Sequence, residues 1–334
     1  MFTRILLVLL VVLWAHNGTA QQRFSFTRSK MGSPFTIIFY ERDSARAEAT
    51  AESGFNLVDS LVNIFSDYID SSELNRLCAR AGTAAATMTV SGPLLDMLLQ
   101  SKTAWTESLG SFDITLGPLT RLWRKARKEN IFPADSVVKY KRSLTGFKQV
   151  KIRADKKTVS LLKRGMQLDL GGIAQGYIAG KVIDHLVQQG VTSALVDVSG
   201  DIMAIGAPPN TKGWTVGINV PGDEHRLFPT NVLVRDMAVT TSGDLYQYME
   251  YNGKRYSHIV DPRTGYGITS QRNVTIIARN PTQADWLTKA CSILPVAEAK
   301  KLAKKFKAEL LIVENLEGKL KWYHTPGFSR YWKN

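Results

Sequence analysis

Ten consecutive residues, Tyr256-Ser257-His258-Ile259-Val260-Asp261-Pro262-Arg263-Thr264-Gly265, gather a histidine, a carboxylate, a guanidinium and two aliphatic hydroxyls. An imidazole can take or give a proton near neutral pH, and a neighbouring carboxylate can orient it or share that task. His258 and Asp261 are therefore the candidate catalytic pair, with a structural turn histidine as the competing reading. The other histidines beyond residue 20, His185, His225 and His324, are dispersed without the paired spacing a zinc site uses. A Gly-x-Ser-x-Gly hydrolase elbow is also absent.

A second group of chemistry-bearing residues is Asp169-Leu170-Gly171-Gly172-Ile173-Ala174-Gln175-Gly176-Tyr177. Glycines at a strand-to-helix junction let an anion approach the free N–H groups of the helix start. The spacing is neither a dinucleotide fingerprint nor a P-loop. Gly172, Gly176 and Gly180 recur every four residues, so close packing of a bare helix face on a sheet explains them equally well. Ser111-Phe112-Asp113-Ile114-Thr115 joins an aromatic ring to a carboxylate, which suits either recognition of a ring edge or a capped loop. Ser199-Gly200-Asp201 and Ser242-Gly243-Asp244 each follow an apolar strand, an echo expected by chance in turns or from two related halves around a cleft.

Elements able to position these residues follow from periodicity and turn chemistry. Asn252-Gly253 is a strong hairpin signal, and its second arm delivers His258 to the Asp261-Pro262 turn. Strands are predicted near 35–40, twice within 147–162, and at 193–198, 202–205, 214–220, 237–241, 273–278 and 309–313. Helices are predicted over 45–65, 93–109, from Gly172 to about Gln189, over 283–294, and in the lysine-rich stretch that follows. No Pro- or Ser-rich linker interrupts residues 30–325, which predicts one continuous domain. Intermixed helices with hairpins predict an α+β fold with an antiparallel or mixed sheet.

Composition narrows the setting. Residues 1–20 combine Arg4, an apolar run from Ile5 to Ala15 and small residues at 18–20, the pattern of a cleaved secretory signal. The run is short for a bilayer span, and no cysteine marks a lipid-attachment site, so the expectation is a soluble exported, periplasmic protein spanning residues 21–334. Net charge is +14. Basic runs occur at Arg121, Arg124, Lys125, Arg127, Lys128 and at Lys300, Lys301, Lys304, Lys305, Lys307. The second run has helical spacing and reads as a solvated face. Without a recognition motif these charges do not indicate nucleic acid; an anionic small ligand or an acidic membrane surface suits them. Cys78 and Cys291 leave a disulfide and two free thiols both open.

Taken together, the motifs resemble the ApbE family of FAD:protein FMN transferases from about Met31 to Val313. The likeness is carried by Met31-Gly32-Ser33, Phe65-Ser66-Asp67-Tyr68, Asp70–Leu74, Ser111–Thr115, Asp169–Ala174, Gly200-Asp201, Thr241–Asp244, Ser257–Gly265 and Ala284-Asp285. The resemblance implies that FAD is the substrate, that its FMN half passes to a threonine of an acceptor protein, that AMP is released, and that magnesium assists. It implies flavin contacts at Met31, Tyr68, Ser111, Phe112, Asp113, Asp169 and Gln175, and metal ligation by the Gly172 carbonyl and Asp285. Two positions depart from the family pattern. Gln175 stands where lysine is common. Lys289 stands where the family has a threonine metal ligand four residues after the aspartate, and Thr288 is turned about 100° away on the helix. These departures keep two alternatives in view: an FAD-binding protein with little catalysis, and hydrolysis of FAD to FMN and AMP.

Overall fold

Alternating strand residues feed two different cores, and a single large sheet separates them. The computed structural model describes residues 21–222, 226–243 and 247–333. The predicted signal segment, His225 and Asp244 lie outside the described residues. Fifteen strands are present among them, numbered β1 to β15 in chain order. The large sheet contains β1 (Gln22–Lys30), β2 (Ser33–Glu41), β6 (Ala194–Val198), β7 (Asp201–Ile205), β10 (Met237–Ser242), β13 (Arg272–Ala278), β14 (Glu309–Leu316) and β15 (Lys319–His324), side by side in that order. Every neighbouring pair is antiparallel, which narrows the predicted antiparallel-or-mixed sheet to an antiparallel one.

Period-two patterning explains the layers. Phe35, Ile37 and Phe39 of β2 enter the helix-side core, whereas Ile38 and Tyr40 face the other core. Leu310 and Ile312 of β14 likewise oppose Leu311 and Val313. Each such side chain contributes roughly 1.5–3 kcal/mol by leaving water. The helix-side core is closed by α1 (Ser44–Phe65), α2 (Glu73–Ala79), α3 (Gly92–Glu107), α6 (Ala174–Gln188), α7 (Pro281–Ile293) and α8 (Val296–Lys305), with a small sheet of β3 (Thr87–Thr89), β4 (Val150–Arg153) and β5 (Thr158–Leu161) at its margin. The opposite face is covered by β8 (Trp214–Val216), β9 (Val232–Val234) and the turn Pro326–Tyr331. A third, smaller cluster joins α4 (Gly117–Glu129) and α5 (Asp135–Ser143) to the hairpin β11 (Tyr248–Tyr251) and β12 (Lys254–Ser257).

Most predicted elements occur where periodicity placed them, including the hairpin, whose Asn252 and Gly253 both have positive φ. Differences are informative. Strands β1 and β15 lie at the two sheet edges, and the strand predicted over 214–220 ends at Val216 with an isolated bridge at Asn219. The glycine face of α6 packs on α7 and not on the sheet. A Cβ at Gly176 would lie 2.2 Å from the Pro281 carbonyl oxygen, and one at Gly180 would lie 2.8 Å from Pro281 Cγ. The basic residues of α8 do face solvent around buried Leu302 and Ala303. Both cysteines are free thiols; burial pushes Cys78 up to about 11 and Cys291 up to about 12.

The register gathers several predicted motifs at one end of the sheet. Lys30 pairs with Ser33, Phe35 with Val198, Val198 with Asp201, Asp201 with Thr240, and Ser242 with Val274. The Met31 turn, the 199–200 turn and Ser242-Gly243 therefore share that end. The described parts of the two Ser-Gly-Asp echoes sit on adjacent strands, with the Thr241 N–H donating to the Gly200 carbonyl at 3.2 Å. No described helix is long and apolar enough to cross a membrane.

Candidate active site

Helices α6 and α7 build one wall of a cleft at this end of the sheet. Asn280 caps α7 by accepting the Gln283 N–H, and Pro281 sits in its first turn. The lack of a side chain at Gly176 and Gly180 lets the two helices approach until the Gly176 N–H reaches Asp285 Oδ2 at 2.9 Å. Asp285 is fully buried, and its other oxygen accepts a hydrogen bond from Lys289 Nζ at 2.8 Å, one helical turn on. The Lys289 side chain remains 18% exposed. Burial works against its charge, but Asp285 and Asp201 more than offset this and raise its pKa. Asp201 is buried beside this pair; burial first, and then the Asp285 charge, push its carboxyl up to about 8. Among the described residues its Oδ1 and the hydroxyl of Thr240 opposite have no hydrogen-bond partner. Thr288 is turned inward, with its hydroxyl 2.7 Å from the Asp285 carbonyl oxygen and 3.0 Å from Ser242 Oγ.

His258 follows directly on the hairpin strand β12. The His258 N–H donates to the Gln247 carbonyl at 2.9 Å, and Nδ1 lies 3.2 Å from the same oxygen. That carbonyl can only accept, so Nδ1 carries the ring proton, and Nε2 of the neutral ring is an acceptor without a partner among the described residues. Burial, followed by the charges of Lys289 and Arg127, lowers the His258 pKa to about 4; Asp169 acts in the other direction. The Lys289 charge therefore reaches the imidazole. Among the described residues Asp261 makes no hydrogen bond to the imidazole and is held by Arg263. Its Oδ1 accepts the Arg263 N–H and Nε, and its Oδ2 accepts Arg263 Nη2 at 2.7 Å, so this carboxylate organises the turn closed by Gly265. Asp261 also lines a 540 Å³ cavity with Thr264, Arg272 and Leu294. Trp123 supports the turn by donating from Nε1 to the Gly265 carbonyl and stacking on Tyr256.

The remaining expected flavin contacts divide into two groups. Arg124 joins Tyr68 to Asp169: its guanidinium lies 4.3 Å from the Tyr68 ring centroid, pairs with Asp67 and reaches Asp169 at 3.3 Å. Tyr68 itself is 76% exposed. Asp169 also accepts the Gly171 N–H, setting the glycine loop that enters α6, whose first turn carries Gln175. Phe112 is buried between Gly172 and Trp286. Asp113 accepts both the N–H and the hydroxyl of Thr115, so it caps a turn, and burial raises its pKa. Ser111 is buried beside these residues in sequence, and Met31 lies half-buried in the β1–β2 turn with positive φ. Sequence reasoning missed Arg124, Arg127 and Gln247 as site residues. The basic run containing both arginines was visible, but nothing local marked which of its members turn inward.

Gly172 and Asp285 do not fit the divalent cation that the resemblance implies. The ammonium of Lys289 already holds one Asp285 oxygen, and Gly176 holds the other. Like charges 4 Å apart at such a site cost roughly 4 kcal/mol for a unit pair, and a dication doubles that. Lys289 is therefore not a metal ligand but a competitor for the metal's place.

An antiparallel eight-stranded sheet, with a glycine-loop helix and a histidine hairpin facing each other at one end, defines an α+β protein with a cleft suited to an anionic ligand. A model of the ApbE family matches residues 31–312, and the chain belongs to that family. Among curated relatives, proteins named FAD:protein FMN transferase from Treponema pallidum and Klebsiella pneumoniae are 34% and 30% identical. The first alignment covers 80% of this chain and 78% of the relative, the second 79% and 81%. The ApbE protein of Thermotoga maritima aligns over 94% of this chain and 100% of its own, with a TM-score of 0.83 and 25% identity. The apo flavinyl transferase ApbE of Pseudomonas stutzeri covers 93% and 97%, with a TM-score of 0.80 and 27% identity.

Proposed function

We propose that the protein is an FAD:protein FMN transferase that moves the FMN half of FAD to a threonine of an acceptor protein and releases AMP. The observation that carries this reading is His258: a neutral imidazole with Nδ1 satisfied by Gln247 and Nε2 free, facing the positive charges of Lys289 and Arg127. A base in that state is ready for a hydroxyl proton, and nearby cations suit a diphosphate. In the reaction, the acceptor oxygen bonds to the FMN phosphorus while the bond to the bridging oxygen breaks. The bridging oxygen leaves on AMP with the electron pair, and the hydroxyl proton passes to His258 Nε2. The N–H groups at the α6 start and Gln175 would hold phosphate oxygens, and Tyr68, Ser111, Phe112, Asp113, Asp169 and Met31 would bound the flavin. Magnesium does not fit beside Gly172 and Asp285 as these residues stand, and no step passes through it. The basic, small-residue-terminated leader supports export, with the acceptor met outside the cytoplasm.

The test is incubation with FAD and an acceptor bearing a flavinylation threonine, following AMP by chromatography and covalent flavin on the acceptor. Equal yields of both are expected, and His258→Ala should cost about 10²–10⁴-fold in rate while FAD affinity stays nearly unchanged. AMP with free FMN and no labelled acceptor would make the protein an FAD hydrolase instead. FAD binding without AMP would make it a carrier.

A further inference from the structure

We propose that Lys289 is the built-in cation of this site: its tethered ammonium, and no divalent metal at Asp285, neutralises phosphate charge as the phosphoanhydride of FAD opens. The inference rests on the transferase reading and deepens it. Three observations on the cleft wall support it. First, the Lys289 Nζ–Asp285 Oδ1 contact of 2.8 Å closes an i,i+4 pair on α7, so the helix itself fixes where the ammonium sits. Second, Asp285 has no exposure and its second oxygen is held by Gly176, whereas Lys289 retains access to the cleft. An ammonium has three donors. Among the described residues Asp285 takes one of them, which leaves two for phosphate oxygens. Third, the stem that carries the ammonium lies against the loop that starts α6. A Cβ on Gly172 would touch Lys289 Cγ at 3.2 Å, and the Lys289 charge acts on His258. Phosphates bound at the α6 start would thus lie beside the Lys289 side chain.

A metal-bound site of this kind would need an unencumbered carboxylate, and here an ammonium already has it. A lysine is a compact, permanently attached point charge, so its contribution does not depend on metal concentration. It also does not impose the octahedral geometry that magnesium demands.

The experiment has two readouts on the purified protein after exhaustive chelation, with residual metal checked by mass spectrometry. Manganese binding is followed by electron paramagnetic resonance in the absence of FAD, and AMP release is followed with FAD and acceptor. Wild type should bind no manganese and should keep most of its AMP release in chelator. Lys289→Thr should bind about one manganese per chain and lose at least about tenfold in AMP release until magnesium is added. Stoichiometric manganese binding by wild type overturns the proposal, as does loss of its AMP release on chelation with recovery in magnesium. If no condition yields AMP, the transferase reading fails while the manganese arm still decides who holds Asp285. Should Lys289→Thr not fold, Lys289→Arg keeps the charge and must still exclude manganese; binding there counts against the proposal, and the wild-type arms require no variant.

Discussion

The wall carrying Asp285 and Lys289 is made by α6 and α7 lying on the large sheet, whereas the wall carrying His258 hangs on a two-residue turn and a small aromatic cluster. On the helix wall, ionic groups are buried and paired, and their positions follow from a glycine face that admits the neighbouring helix to within contact of a carbonyl. On the hairpin wall, the imidazole is oriented by one backbone carbonyl, Gln247, and the turn beyond it by Trp123 and the Asp261–Arg263 pair. The first arrangement fixes charge, and the second holds a proton acceptor on an element with few supports. A group that must accept a proton and then lose it is suited to the lighter scaffold, and a charge that must not move is suited to the heavier one.

The sharpest way to break this comparison is Asp285→Ala. Leaving the Lys289 ammonium without its buried partner should destabilise the fold by about 3–5 kcal/mol, read from denaturant midpoints. A loss no larger than that of a surface substitution would mean that the pair is not structurally buried in solution.

A second test uses pH. The folded pKa of His258 is lowered, so the unfolded chain binds its proton first as pH falls. The His258 contribution is complete above the ordinary histidine value near 6.5 and is lost as pH falls toward about 4. His258→Ala should flatten the stability profile in that window, measured by thermal melting. Asp201 behaves oppositely: its raised pKa favours folding at low pH, and this contribution is lost as pH rises through about 8. An unchanged slope on replacing His258 would place the imidazole in water.

The smallest expected effect is Trp123→Phe. It removes the hydrogen bond to the Gly265 carbonyl and should cost about 1 kcal/mol in stability. Its consequence should show mainly in the transfer rate, because the Ser257–Gly265 turn would lose a strut while the helix wall is untouched. Equal losses in rate and in FAD affinity would erase the distinction between the walls.

Several parts of this architecture were legible without coordinates because they are local. Period-two alternation marked β2 and β14, and Asn252-Gly253 marked the hairpin with its positive φ values. The i,i+4 spacing of Asp285 and Lys289 on one helix put the two side chains within reach of each other, and the structure closes them into an ion pair. Less was legible where partners are distant. Arg124 finds Asp67 and Asp169, each more than forty residues away, and no local pattern distinguished it from its solvated neighbours Lys125 and Lys128. Asp261 and His258 are three residues apart and read as a catalytic pair, and only the structure shows the two-pronged contact that Asp261 makes with Arg263.

By itself, then, the amino-acid order determined the strands, the turns, the cleft-lining motifs, the family and the lysine at the cation position, since each rests on residues within a few positions of one another. Only the tertiary structure decided that the glycine face meets a helix, that Gln247 sets the His258 tautomer, and that Arg124 ties Tyr68 to Asp169. Those contacts join residues brought together by sheet register and helix packing, and their energies depend on burial that no short stretch of chain can create alone.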